Sequence, residues 1–204
     1  MAIILVRHGE TALNAARVIQ PANTPLSDRG LAQAEAVGRR FVGQDVAAIF
    51  SSDLARAWQT AEAISRHTDL PIEASALLQE RNFGTLRGQA YDTLGFDPIT
   101  LADAPPLGES ARQFAERVAQ AFGAMQQWHQ GLAGDLMVVT HGLFIRVLLA
   151  ESLRLPSASL DNLHLGNTCV NVFDAQAPHA VQLLNCSRHL DADTHDLPSG
   201  LSGG

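Results

Sequence analysis

Apolar residues follow two periods along the chain. Short unbroken runs occupy Met1–Val6, Val46–Phe50 and Leu136–Val139. Each run stops at a polar cluster: Arg7-His8-Gly9, Ser51-Ser52-Asp53 and Thr140-His141-Gly142. The pattern predicts three buried strands that end in polar turns. Between them, apolar positions recur three or four residues apart. Leu31, Ala34, Val37 and Phe41 follow Ser27, a residue suited to cap a helix. Ala57, Ala61 and Ile64 share one helical side, with Ser52 or Asp53 as the expected cap. Phe114, Val118, Ala121, Met125 and Trp128 mark a helix over Ser110–Gln130, and Leu143–Leu153 reads as another. Trp58 and Trp128 lie on helical faces and are expected in the core.

The remaining segments are shorter or irregular. Residues 12–26 contain Pro21 and Pro25 and predict a short helix and a loop. Pro71–Ala74 reads as a short strand, and Thr168–Phe173 with Val181–Leu184 as two late strands, antiparallel neighbours. Residues 84–107 have little periodicity and read as an excursion covering a site, with residues 154–166 beside it. Phe83, Leu86, Tyr91 and Phe96 would offer apolar surface at the mouth.

Strands alternating with helices imply an α/β fold. The expected architecture is a three-layer α/β/α sandwich with a mostly parallel central sheet and an antiparallel edge strand. One domain is expected over residues 1–190, followed by a polar tail, 191–204, that frays. In such sheets ligands bind beyond the carboxyl ends of the strands. If the three early strands are neighbours, their polar clusters converge.

Charge narrows the chemistry. Net charge is -7, which argues against a broad nucleic-acid-binding face. All fourteen cationic side chains are Arg, so any phosphate here meets guanidinium forks. Cys169 and Cys186 sit in apolar, strand-like surroundings and read as structural thiols, with a lone disulfide as the alternative. They have no metal-ligand spacing, and His67, His129, His164, His179, His189 and His195 form no metal-ligand grouping. No run approaches the roughly 20 apolar residues of a membrane span. No targeting segment is evident, so a cytoplasmic protein without membrane or nucleic-acid partners is expected.

Two histidines, arginines and a carboxylic acid around one crevice suit phosphoryl transfer, where catalysis is positioning plus electrostatics. Arg7 and Arg56 can each hold two phosphate oxygens. His8 can attack phosphorus if its other ring nitrogen is fixed by a backbone carbonyl. His141 can stabilise the equatorial oxygens. A carboxylic acid can protonate the leaving oxygen and later deprotonate water; Glu80, Asp53 and Glu109 are the candidates.

The blocks Leu5-Val6-Arg7-His8-Gly9-Glu10-Thr11 with Asn14, Pro25-Leu26-Ser27-Asp28-Arg29-Gly30, Ser51 to Ala57 with Gln59-Thr60-Ala61, Glu80 to Gly84, and Val139 to Gly142 occur in that order. Together with Gly108-Glu109-Ser110 they resemble the histidine phosphatase superfamily, the phosphoglycerate mutase-like group. The resemblance spans residues 3 to about 173. It implies His8 as nucleophile, and Arg7, Arg56 and His141 as the phosphate pocket. It adds a phosphate contact from Asn14, and makes Glu80 the proton donor and then the base. Gly9 and Gly142 would let backbone approach the phosphate. Gln20 would reach the pocket mouth. No metal or organic cofactor is implied; the partner is a small phosphorylated substrate, and a homodimer is a common state.

The chain departs from the family in two places. Relatives often carry Gln-Gly and then an Asp before the Pro-Leu turn, whereas here Gln20-Pro21-Ala22-Asn23-Thr24 precedes Pro25 and the loop is shorter. Leu86 and Arg87 stand where relatives often have an aromatic and an acid. The resemblance allows a hydrolase or a phosphoglycerate mutase. The family's mutases have a longer segment after the general acid, with adjacent arginines. Residues 84–107 hold only Arg87, against Asp92, Asp97 and Asp103, which favours the hydrolase. A non-catalytic phosphate-binding module is the reading from another class.

Overall fold

Every residue of strand β1 (Ala2–Arg7) is buried, so a layer covers each of its faces. Ile3 and Leu5 enter one core while Ile4 and Val6 enter another, the two-residue alternation of a strand. The computed structural model describes residues 1–153, 155, 160 and 163–190. It joins β1 to β2 (Val46–Ser51), β3 (Ile72–Ala74), β4 (Asp135–Thr140), β5 (Val170–Asp174) and β6 (Val181–Cys186) in one sheet, ordered β3-β2-β4-β1-β5-β6. The first four run parallel. β5 runs antiparallel to β1, and β6 antiparallel to β5. The late strands are therefore antiparallel neighbours at one edge, as their spacing implied.

Helices complete the outer layers. After the short α1 (Ala12–Ala15), α2 (Asp28–Arg40) and α3 (Ala55–Thr68) cover one face. Val37, Ala57, Ala61 and Ile64 pack there against Ile4, Val6, Met137 and Val139. On the other face α4 (Ala111–His129) and α5 (Gly142–Glu151) bring Phe114, Val118, Met125, Phe144 and Leu148 against Ile3, Leu5 and Val138. Ser27 caps α2, as expected, and Ser110 caps α4 with a reciprocal Gln113 bond. Residues 84–107 hold only short turns of tight helix, at 84–86 and 91–93.

Some expectations shift. Leu31 sits in the first turn of α2 and is 45% exposed, so the core stripe begins at Ala34. Trp58 is half-buried and donates to Glu62; Trp128 is half-buried and stacks on Phe50 at 4.2 Å. The cap of α3 is Leu54, without a side-chain bond. Ser52 is turned toward His141 instead (below). Neither Cys169 nor Cys186 is in a disulfide. The tail 191–204 and much of 154–166 lie outside the described residues. Among the described residues no helix is long and apolar enough to cross a membrane.

Candidate active site

The order β2-β4-β1 makes the three predicted strand ends neighbours. His8 follows β1 and is fully buried. Its Nδ1 lies 2.7 Å from the Gly9 carbonyl oxygen. A carbonyl only accepts, so Nδ1 carries the proton and Nε2 presents its lone pair. Nε2 has no hydrogen-bond partner among the described residues. Burial, with Arg56 and Arg7 beside it, holds the His8 pKa well below the usual histidine range. The ring is therefore neutral at pH 7, as a nucleophile requires.

His141 follows β4 and occupies the N-cap position of α5. Its Nε2 lies 2.8 Å from Ser52 Oγ, at the end of β2. Its Nδ1 is buried without a partner among the described residues, and the ring lies 5.1 Å from that of His8. Burial and the nearby guanidinium of Arg56 lower its pKa too.

Arg7 closes β1, and its Nη1 donates to the Leu165 carbonyl. It lies against Gly142, where a Cβ would come within 3.2 Å of Arg7 Nε. Arg56, in the first turn of α3, is 2% exposed. Its Nη1 donates to the Pro21 carbonyl at 3.3 Å, and its Nε has no partner among the described residues. Burial pushes its pKa down to about 10, which still leaves it charged at neutral pH. Two buried cations and the positive end of α5 thus favour an anion in this crevice.

Glu80 is 3% exposed. Its Oε1 accepts from Arg81 N and its Oε2 from Leu143 N, both at 3.0 Å. Burial outweighs these bonds and pushes its pKa up. The other candidate acids are placed differently. Asp53 is exposed and accepts from Gln79. Burial opposes ionisation of Glu109, but bonds from Arg117 and Asn82 N hold its pKa below the usual range. Of the three acids, Glu80 is the one suited to carry a proton near neutrality.

Asn14 and Gln20 meet at Thr11. Asn14 Oδ1 accepts from Thr11 N at 3.4 Å and Asn14 N donates to Thr11 Oγ1, so Asn14 completes the cap of α1. Gln20 Oε1 accepts from Thr11 Oγ1 at 2.8 Å, and Gln20 Nε2 is a buried donor without a partner among the described residues.

Gly9 has a packing reason to be small. A Cβ on it would meet the Gly30 oxygen at 2.5 Å, and one on Gly30 would meet the Glu10 oxygen at 1.9 Å. Their small size lets the His8 turn cross the start of α2. Gly30→Ala is therefore expected to cost about 3 kcal/mol and to lower Tm by roughly 10 °C. It should also depress activity, because the turn that carries His8 must shift. A thermal melt with unchanged Tm would contradict this packing.

Tyr91 forms a wall. It is buried, and its phenol is pushed up first by burial and then by the charges of Glu80 and Asp97. Its backbone N donates to Arg17 O at 3.0 Å, tying the irregular segment to the chain after α1. Arg17, Tyr91, Asp92, Phe96 and Asp97 line a cleft of about 440 Å³. Phe83 is buried and Phe96 is 46% exposed, so of these two only Phe96 offers open apolar surface.

Three residues escaped sequence reasoning. Asn167 Nδ2 donates to the His8 carbonyl at 3.1 Å, and Thr168 N donates to the same oxygen at 3.3 Å. Thr168 adopts φ +54°, a costly conformation for a β-branched residue. Thr168 Oγ1 donates to the Asn167 carbonyl at 2.7 Å and lies 3.0 Å from His189 Nε2. His189 Nδ1 lies 3.2 Å from Arg40 Nη1, which can only donate. Hence Nε2 carries the His189 proton. A directional chain runs Arg40, His189, Thr168, Asn167 and ends on the His8 carbonyl. Burial and Arg40 push the His189 pKa down to about 4, so it stays neutral.

A neutral ring nitrogen with no partner among the described residues, two buried guanidiniums and a buried carboxyl of raised pKa, gathered at the strand ends of a doubly wound sheet, suit a phosphoryl-handling class of protein. The chain belongs to the histidine phosphatase superfamily: the model of its branch 1 matches residues 3–186. It is 33% identical, over 95% of its length and 97% of the relative, to a probable phosphoglycerate mutase GpmB of Citrobacter koseri. A phosphoserine phosphatase mutant from Entamoeba histolytica, in complex with phosphoserine, matches at TM-score 0.79 and 25% identity, over 93% of this chain and 98% of that one. A mycobacterial glucosyl-3-phosphoglycerate phosphatase matches at TM-score 0.75 and 25% identity, over 90% and 98%.

Proposed function

We propose that the chain is a metal-independent phosphomonoester hydrolase acting through a phosphohistidine on His8. The observation that carries this reading is the orientation of His8, with Nδ1 held by Gly9 and Nε2 bare. The phosphate of a small ester docks against Arg7, Arg56 and His141, with Asn14 and Gln20 Nε2 at the rim. His8 Nε2 forms a bond to phosphorus as the ester P–O bond breaks, and Glu80 gives its proton to the leaving oxygen. Water then attacks phosphorus, Glu80 takes its proton, and the P–N bond breaks. Phosphate leaves, with His8 neutral and Glu80 protonated again.

The rival transfer reaction returns the phosphoryl group to a phosphoglycerate. The curated relative's name favours it. The charge of residues 84–107 supports hydrolysis, since Arg87 is the segment's one cation beside three acids, Asp92, Asp97 and Asp103, and a small polyanion would need more cations. The deciding assay follows phosphate release from 3-phosphoglycerate, sugar phosphates, nucleotides, phosphoserine and p-nitrophenyl phosphate, with chelator present and mutase product measured in parallel. Release identifies the hydrolase. Isomerisation without release identifies the mutase, and no turnover with retained phosphate binding identifies a binding module.

The pH profile has a definite sign. His8 must be neutral and its pKa is lowered, so activity persists into mildly acidic solution and falls below it. Glu80 must be protonated and its pKa is raised, so kcat/KM declines as pH climbs through that raised value. Glu80→Gln should cost about 10²- to 10⁴-fold on alkyl phosphates. With p-nitrophenyl phosphate, whose leaving group needs no proton, it should give a burst of product followed by slow turnover. Full activity on alkyl phosphates would remove Glu80 from the scheme.

A further inference from the structure

The hydrogen-bond chain that ends on His8 begins in a cationic cleft. Arg40, in the last turn of α2, lines a space of about 400 Å³ together with Ala36, Arg39, Arg188 and His189. No carboxylate is among its lining residues. The guanidiniums of Arg39 and Arg188 pair with no acid among the described residues. Arg40 is partly committed, since its Nη1 donates to the Cys186 carbonyl and to His189. The negative end of α2 accounts for Arg39 and Arg40. It does not account for Arg188, which arrives from beyond β6. Three guanidiniums without a counter-charge among the described residues form an arrangement that a bound dianion would suit.

We propose that this cleft is a second anion site, separate from the catalytic centre, that takes a phosphate dianion, and that its occupancy is sensed at His8 through Arg40, His189 and Thr168. An anion in the cleft competes with His189 Nδ1 for the Arg40 N–H groups. Loss of that donor loosens His189 on Thr168, which is held at φ +54°. Thr168 and Asn167 in turn hold the His8 carbonyl. The dianion is either free inorganic phosphate, the expected reaction product, or the head of a small organic ester.

The coupling rests on the hydrolase reading; the binding does not. The test titrates inorganic phosphate into the full chain by calorimetry, then repeats the assay with Arg39→Ser/Arg188→Ser. Arg40 is retained so that the chain to His8 survives. The expected result is two equivalents bound by the native protein and one by the double variant. Without added phosphate the variant should keep kcat within twofold. Phosphate inhibition should carry a non-competitive component in the native protein and become purely competitive in the variant. Ala36→Glu, which places a carboxylate among intact arginines, should also lose the second equivalent and guards against misfolding of the double variant. Phenylphosphonate separates the two sources: weaker binding than phosphate at the second site assigns the product, equal or tighter binding assigns an ester. The same stoichiometry in all three proteins, or purely competitive inhibition in both kinetic assays, overturns the proposal. A native protein that turns over no phosphoester defeats the hydrolase reading and leaves the stoichiometry test intact.

Discussion

His8→Ala is expected to lower kcat by on the order of 10⁴-fold or more, because it deletes the atom proposed to form the covalent intermediate. Rapid quenching with labelled substrate should trap an acid-labile phosphoenzyme in the native protein and none in the variant. Phosphate affinity should stay within a few-fold, since Arg7, Arg56 and His141 remain. Stability should fall by about 1–3 kcal/mol, since removal of the buried ring ends the unmet burial of Nε2 but leaves the Gly9 carbonyl without its Nδ1 donor. Substantial turnover by His8→Ala would assign the nucleophile elsewhere.

Arg56→Met should separate activity from stability in opposite directions. The side chain is 2% exposed and, among the described residues, makes one hydrogen bond, from Nη1 to the Pro21 carbonyl. Replacing a buried, weakly compensated charge by an apolar chain of similar length is expected to stabilise by about 1 kcal/mol or more, or roughly 2–4 °C in Tm. The same change removes a charged fork from the bound phosphate. Two charge-assisted hydrogen bonds at about 1.5–3 kcal/mol each correspond to a loss of about 10²- to 10⁴-fold in kcat/KM. Melting curves with and without phosphate give the check. The native Tm should rise with phosphate, by mass action. The variant should start higher and respond less. A destabilised variant with full phosphate response would mean that Arg56 serves packing.

Sequence alone makes some of this site legible and hides the rest, for physical reasons. His8 and His141 stand out because each ends an apolar run, and parallel strands place such ends side by side. Arg56 can be named from the chemistry of phosphate binding, but the family resemblance is what singles it out. By itself, a cation in the first turn of a helix opposes the helix dipole and reads as a surface residue. Ser52 is misread as a cap because its hydroxyl suits that task, yet it stands 2.8 Å from His141 Nε2. Leu31 fits the helical spacing, but the first turn of α2 projects past the core. Thr168 is hidden most completely. Its strain is a backbone angle, and its partner His189 lies on a different segment with no spacing rule to join them.

The position of β1 carries a consequence for how the chain matures. Ile3 pairs with Leu136 on one side and Phe173 on the other, so the central strand waits for most of the polypeptide before either neighbour exists. During synthesis its apolar run is exposed and unpaired, a state prone to association with other chains. His8 and His141 come together only when β4 docks beside β1, so the reactive nitrogen gains its phosphate cradle no earlier than the sheet closes. The proposed site therefore cannot form before β4 has docked beside β1.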